Sequence, residues 1–178
     1  MNPLSMSASS QTVPADVRPE GFLRVQAALL QRGHEHPPRW LDVAARTSQE
    51  AADALGVSLG QIAKSVVFRR RSDEAAVMVI ASGDRRVDEK KLQQHTGALG
   101  RADAEYVKAR TGFSIGGVSP LGFAPAADLP QPLLFLDADL RRFDFIWAAA
   151  GHPNGVFLMS PEQLQRLTGA EFIEVVQA

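Results

Sequence analysis

Apolar side chains first recur at helical spacing after Pro19, where Phe22, Val25 and Leu29 share one stripe and Gly33 offers a left-handed stop. Pro37 and Pro38 then force an extended run toward Trp40 and Leu41. A second helix is predicted from Thr47, whose hydroxyl can cap the chain while Glu50 reaches back, with Gly56 as its end. From Ile62 the period drops to two. Ile62, Lys64, Val66 and Phe68 fall on one face of a predicted strand, and Ala63, Ser65, Val67 and Arg69 on the other. A polar turn at residues 70–74 leads into Ala75 to Ala81, an almost unbroken apolar run expected to be a buried strand.

Two short helices are predicted next, Asp88 to about His95 and Asp103 to Arg110, closed by Gly97 and Gly112. A glycine-rich turn crosses residues 112–122. Strands follow at Leu133 to Asp137, Phe143 to Ala149 and Val156 to Met159, then a helix opened by Ser160-Pro161-Glu162-Gln163, and Phe172 to Val176 is expected to close the sheet. Strands that adjoin through short turns as well as helices predict an α+β fold. Its sheet should be mixed, largely antiparallel and curved, with flanking helices, rather than a doubly wound parallel sheet.

Residues 1–17 are rich in Ser and Pro and are expected to form a flexible N-terminal tail. Residues 18–178 are expected to be one domain, with no internal repeat or linker. At 178 residues and 45% hydrophobic, the chain can bury a sizeable core without disulfides or a structural metal. It has no cysteine, which excludes disulfide frameworks, thiolate metal sites and cysteine nucleophiles, and is compatible with a reducing, cytoplasmic setting. A net charge of -1 argues against a strongly basic DNA binder, and no apolar run is long enough to span a membrane. The absence of a long heptad or exposed apolar stripe favours a monomer.

Chemistry concentrates in two places. Lys64 interrupts an otherwise apolar strand, so its ammonium must meet a counter-charge or ligand, or snorkel to water from a strand edge. The segment Gly116-Gly117-Val118-Ser119-Pro120 is a rigid turn poor in side chains. Its backbone N–H groups can face a cavity and bind a partly negative oxygen, or it simply turns a corner. Arg69, Arg70, Arg85 and Arg86 lie in a basic stretch that is either a solvated face or a contact for nucleic-acid phosphates. His34, His36, His95 and His152 lack the spacing of a metal site, and no metal or other cofactor is expected.

The stretch QIAKSVVF followed by TGFSIGGVSPLG resembles the YbaK/prolyl-tRNA synthetase-associated editing domain family, whose members share a strand lysine and a G-x-x-x-P loop. The likeness runs from about residue 22 to 175. It implies a hydrolase that removes a wrongly attached amino acid from aminoacyl-tRNA, usually tRNA for proline, alone or beside prolyl-tRNA synthetase, without a metal. By that likeness Lys64 holds the 3′-terminal adenosine end, while Gly116 and Gly117 stabilise charge on the ester carbonyl. Val118, Ser119 and Pro120, with Gly151 at a later turn, line the substrate pocket, and His152 beside it either joins that lining or is an ordinary surface-turn histidine. The turn Ala149-Ala150-Gly151-His152-Pro153-Asn154 departs from the Ser-Gly-Gly-Lys-Arg-Gly type of cysteine-removing members, so their amino-acid preference does not transfer. The alternatives are a noncatalytic tRNA- or nucleotide-binding module of the same fold, and a hydrolase of another small ester or amide.

Overall fold

The computed structural model describes residues 18–178. The expected N-terminal tail lies outside them. Five helices, α1 (Glu20–Gln31), α2 (Ser48–Leu55), α3 (Glu89–Thr96), α4 (Ala104–Thr111) and α5 (Pro161–Thr168), accompany eight strands. The strands are β1 (Arg39–Trp40), β2 (Ile62–Arg70), β3 (Ala76–Ser82), β4 (Leu99–Arg101), β5 (Leu133–Asp137), β6 (Ile146–Ala149), β7 (Gly155–Met159) and β8 (Glu171–Ile173).

Local sequence explains where the helices start and stop. Thr47 caps α2 by accepting from the Glu50 N–H at 3.1 Å, and Asp103 caps α4 by accepting from the Tyr106 N–H at 2.8 Å. Ser160 and Gln163 form a reciprocal capping box on α5, with Pro161 at its first position. Gly56, Gly112 and Gly169 end their helices in the left-handed region.

The strands join in the order β1-β7-β6-β2-β3-β5-β8, with β4 pairing to β2 off that path. The sheet is mixed, as expected. Pairs β1–β7, β6–β7, β2–β3 and β2–β4 are antiparallel, while β2–β6, β3–β5 and β5–β8 are parallel. Every residue of β3 is buried, because both sheet faces are covered. Met78 and Ile80 enter one cluster with Phe22, Val25 and Leu29 of α1, Val107 of α4 and Leu164 of α5. Val77, Val79 and Ala81 enter a second cluster with Leu92 of α3, and Ile62 enters a third with Ala51 and Ala52 of α2.

Three details differ from the hydrophobic pattern. A 3-10 turn over Ala138–Arg142 delays β6 until Ile146, and β8 ends at Ile173, leaving Val176 to make a lone bridge with Val87. Strand β4, three residues long, carries too short a pattern to be seen without its partner.

Candidate active site

Strand β2 pairs with β6 only at Ile62 and Ala63 and with β4 only from Phe68 to Arg70. Between those contacts its edge facing away from β3 has no ladder partner among the described residues. A cavity of about 280 Å³ lies against this open stretch. Residues 62–67 of β2 form one wall, the start of α2 with the preceding Ala45 and Arg46 another, and Ile115, Gly116 and Val118 of the glycine loop a third.

Lys64 belongs to this wall. On its face of β2 the alternation sends Ile62 into the α2 cluster and Val66 and Phe68 into the α3 cluster, so Lys64 is half-buried in the gap between two apolar groups. Burial pushes its pKa below the ordinary lysine value; the Asp84 carboxylate opposes that shift and the Arg86 charge adds to it. Lys64 forms no ion pair among the described residues, because Asp84 is held by Arg142 at 2.9 Å. Its ammonium is a charge on a cavity wall, and the carboxylate that acts on it, Asp84, is already engaged by Arg142.

The glycine loop is pinned to β2 by the Ser65 hydroxyl, which donates to the Val118 carbonyl at 2.8 Å. Gly116 has φ +95°, a conformation that favours glycine. Gly117 does not line the cavity. Its N–H donates to the Ser114 carbonyl at 3.0 Å, and a Cβ there would stand 2.7 Å from the His152 backbone. The N–H groups of Gly116 and Val118 have no acceptor among the described residues, and both residues line the cavity. Among the described residues Gly116 and Val118 are thus unpaired donors of the loop, as is Ile115 beside them, whereas Gly117, to which the sequence pointed together with Gly116, is paired. Ser119 and Pro120 are buried behind the loop, with the Ser119 hydroxyl accepting from the Leu121 N–H at 3.3 Å.

Gly151 and His152 stand outside the cavity lining; the His152 backbone packs behind Gly117, and Gly151 packs against Gly21 and Phe113. The turn they belong to is closed by Ala150 N–H to the Gly155 carbonyl and Gly155 N–H to the His152 carbonyl, both 2.8 Å. The His152 ring stacks on Trp40 at 4.9 Å, and its Nδ1 accepts from the Asn154 N–H at 3.1 Å. Desolvation, with the Arg46 charge, lowers its pKa below the usual histidine value, which favours the neutral ring.

The four basic candidates separate. Arg85 and Arg86 follow β3 near Lys64, whereas Arg69 and Arg70 end β2, six residues and roughly 20 Å further along the strand. Arg70 binds Asp73 at 2.6 Å and holds that carboxyl down to about 2; Arg85 binds Asp139 at 2.9 Å, and Arg69 lies 3.6 Å from Glu74. Of the histidines set aside as ligands, His34 uses Nε2 on the Leu158 carbonyl at 2.8 Å.

Sequence pattern did not reveal Arg46, Ile115 or Trp147 as cavity residues. Arg46 had one local signal, its place directly before the Thr47 cap. Trp147 had none, because only the parallel β2–β6 pairing brings it opposite Ile62.

A mixed sheet with a lysine and glycine-loop residues on one cavity defines an α+β protein with a cleft that carries a cation on its wall. The sequence profile of the aminoacyl-tRNA editing domain family matches residues 42–167, and the chain belongs to that family. It is 32% identical over 145 residues to the uncharacterized protein YwhH of Bacillus subtilis (strain 168), covering 81% of this chain and 88% of YwhH. It is 35% identical over 79 residues to the proline–tRNA ligase of Thermosipho africanus (strain TCF52B), which is 43% of this chain and 14% of the ligase. A solved structure described as a candidate trans-editing enzyme for prolyl tRNA synthetase superposes with a TM-score of 0.80 at 37% identity, over 90% of this chain and 99% of that one. Among the described residues no helix is long and apolar enough to cross a membrane.

Proposed function

We propose that the protein is a freestanding deacylase that hydrolyses the ester of mischarged aminoacyl-tRNA, with tRNA for proline as the substrate body, acting in the cytoplasm as a monomer. The observation that carries this is the common cavity of Lys64, Gly116 and Val118. An aminoacyl ester is already activated, so orientation and charge stabilisation suffice without a nucleophilic side chain. Water attacks the carbonyl carbon, the new C–O bond forms as the ester C–O bond breaks, and the ribose oxygen leaves with a proton. The Gly116 and Val118 amides stabilise the negative charge growing on the carbonyl oxygen, each such donor being worth about 3 kcal/mol. The Lys64 ammonium orients the ribose end by charge and hydrogen bonding.

Apart from Lys64 and Arg46 the lining is largely apolar, with Ala63, Val67, Val107 and Trp147 among its members. Such walls favour a small uncharged side chain over a cationic one, which would lose its hydration with no carboxylate on the lining to replace it.

The test charges tRNA for proline separately with alanine, cysteine, serine, threonine and proline and follows loss of the aminoacyl bond. At least one noncognate ester is expected to turn over faster than the proline ester, with Lys64→Ala slowing it about 10²-fold while the protein stays folded. Decay of every species at the buffer rate would refute the deacylase, and saturable tRNA binding without release of amino acid would favour a binding module.

A further inference from the structure

Among the described residues Lys64 and Arg46 are the only charged ones lining the cavity, and no carboxylate lines it. The two cations differ in depth, Lys64 being half-buried and Arg46 exposed at the rim. Arg46 sits against the glycine loop, its Cα 3.7 Å and its Cβ 3.8 Å from where a Gly116 Cβ would be. Its backbone is fixed, because the Arg46 N–H donates to Glu50 Oε2 at 3.0 Å while Thr47 caps α2. Its guanidinium forms no ion pair among the described residues, a state it shares with other arginines such as Arg39 and Arg86, but among the described arginines Arg46 is the one that lines the cavity. A rigidly based, unpaired guanidinium at the mouth of a cavity without acidic residues calls for an anionic group on the ligand.

The cavity size says which group. At about 280 Å³ it lies just below the usual range of ligand pockets, roughly 300–1,000 Å³, so it accommodates an aminoacyl group and part of a ribose while the next substituent stays outside. On the substrate proposed above, the first anion beyond the terminal ribose is the phosphodiester on its 5′ side. We infer that Arg46 receives this phosphate at the rim and so sets how deeply the terminal adenosine enters, with Lys64 left to the ester end. This assignment rests on the deacylase reading, and Arg46 is a binding residue rather than a source of proton transfer.

The experiment compares an aminoacyl-adenosine with the same compound carrying a 5′-phosphate. Wild-type protein is expected to favour the phosphorylated substrate in kcat/KM, mainly through KM. Arg46→Ala should reduce that preference at least tenfold, Arg46→Lys should restore part of it, and Arg32→Ala, at an exposed position on another part of the surface, should leave it intact. An unchanged preference in Arg46→Ala, or a loss expressed in kcat alone, overturns the assignment. Calorimetric binding of a non-hydrolysable 3′-aminoacylamide, with and without the 5′-phosphate, measures the same preference without catalysis. If no ester turns over, the deacylase reading fails, and the calorimetric comparison still decides for or against Arg46.

Discussion

At the scale of single residues, the site rests on a lysine placed where an apolar residue would pack better. Its pKa is lowered by burial, so across the range between its folded value and the ordinary 10.5 the unfolded chain binds more protons than the folded one. Stability contributed at this position therefore rises with pH through that range, and the burial penalty is present in full below the folded value. Lys64→Met removes the charge and bridges Ile62 and Val66. It should raise Tm at pH 7 by a few degrees, since about 1 kcal/mol is worth roughly 2–4 °C at this chain length, while abolishing turnover. Scanning calorimetry should show the gain shrinking as pH approaches 10.5. A lower Tm at pH 7 would mean that the ammonium has a compensating partner in the folded state. Lys64 was legible in the sequence because it broke an alternating pattern. Arg46 was not, because an arginine in a polar segment looks like any solvated side chain until the wall beside it is known.

At the scale of elements, adjacent glycines in one loop do different work. Gly116 needs its φ of +95° but has room, the nearest atom to an added Cβ being 3.7 Å away. Gly117 has no room, because the His152 backbone occupies that space at 2.7 Å. Gly116→Ala should cost about 1 kcal/mol in backbone strain, and Gly117→Ala more, about 1–3 kcal/mol, because loop and turn must separate. Urea denaturation of the two variants checks the order; equal midpoints would show that the His152 turn yields freely. The helices were readable because caps and stops are local: Thr47, Asp103, Ser160, Gly56 and Gly112 act within a turn of their own position. The loop glycines were readable as a turn, yet their division of labour depends on His152, which pattern alone does not bring near them.

At the scale of the whole molecule, the antiparallel β2–β3 pair separates the basic residues. Arg86 stays beside Lys64, and Arg69 and Arg70 are carried to the other end of the sheet with acidic partners at hand. Arg86→Ala should therefore raise KM for charged tRNA more than Arg70→Ala and flatten its salt dependence by up to about one unit of log–log slope. Kinetics between low and moderate salt measure both; the reverse order would place the tRNA stem at the hairpin end.

Hydrophobic alternation, helix caps and the lysine and glycine-loop motifs determined the α+β class, most elements, the editing-domain resemblance and the choice of Lys64 and Gly116 as site candidates, because each is written in neighbouring residues. The route of the sheet was a tertiary outcome. β6 leaves β2 after Ala63 and β4 joins only at Phe68, so an open edge appears between segments far apart in the chain. That gap brings Lys64, Arg46, Gly116 and Val118 to one cavity and leaves Gly117, Ser119, Pro120 and His152 behind its wall. Pairing of distant strands is decided by packing on both sheet faces together, and a local pattern carries no record of which distant edge will be left unpaired.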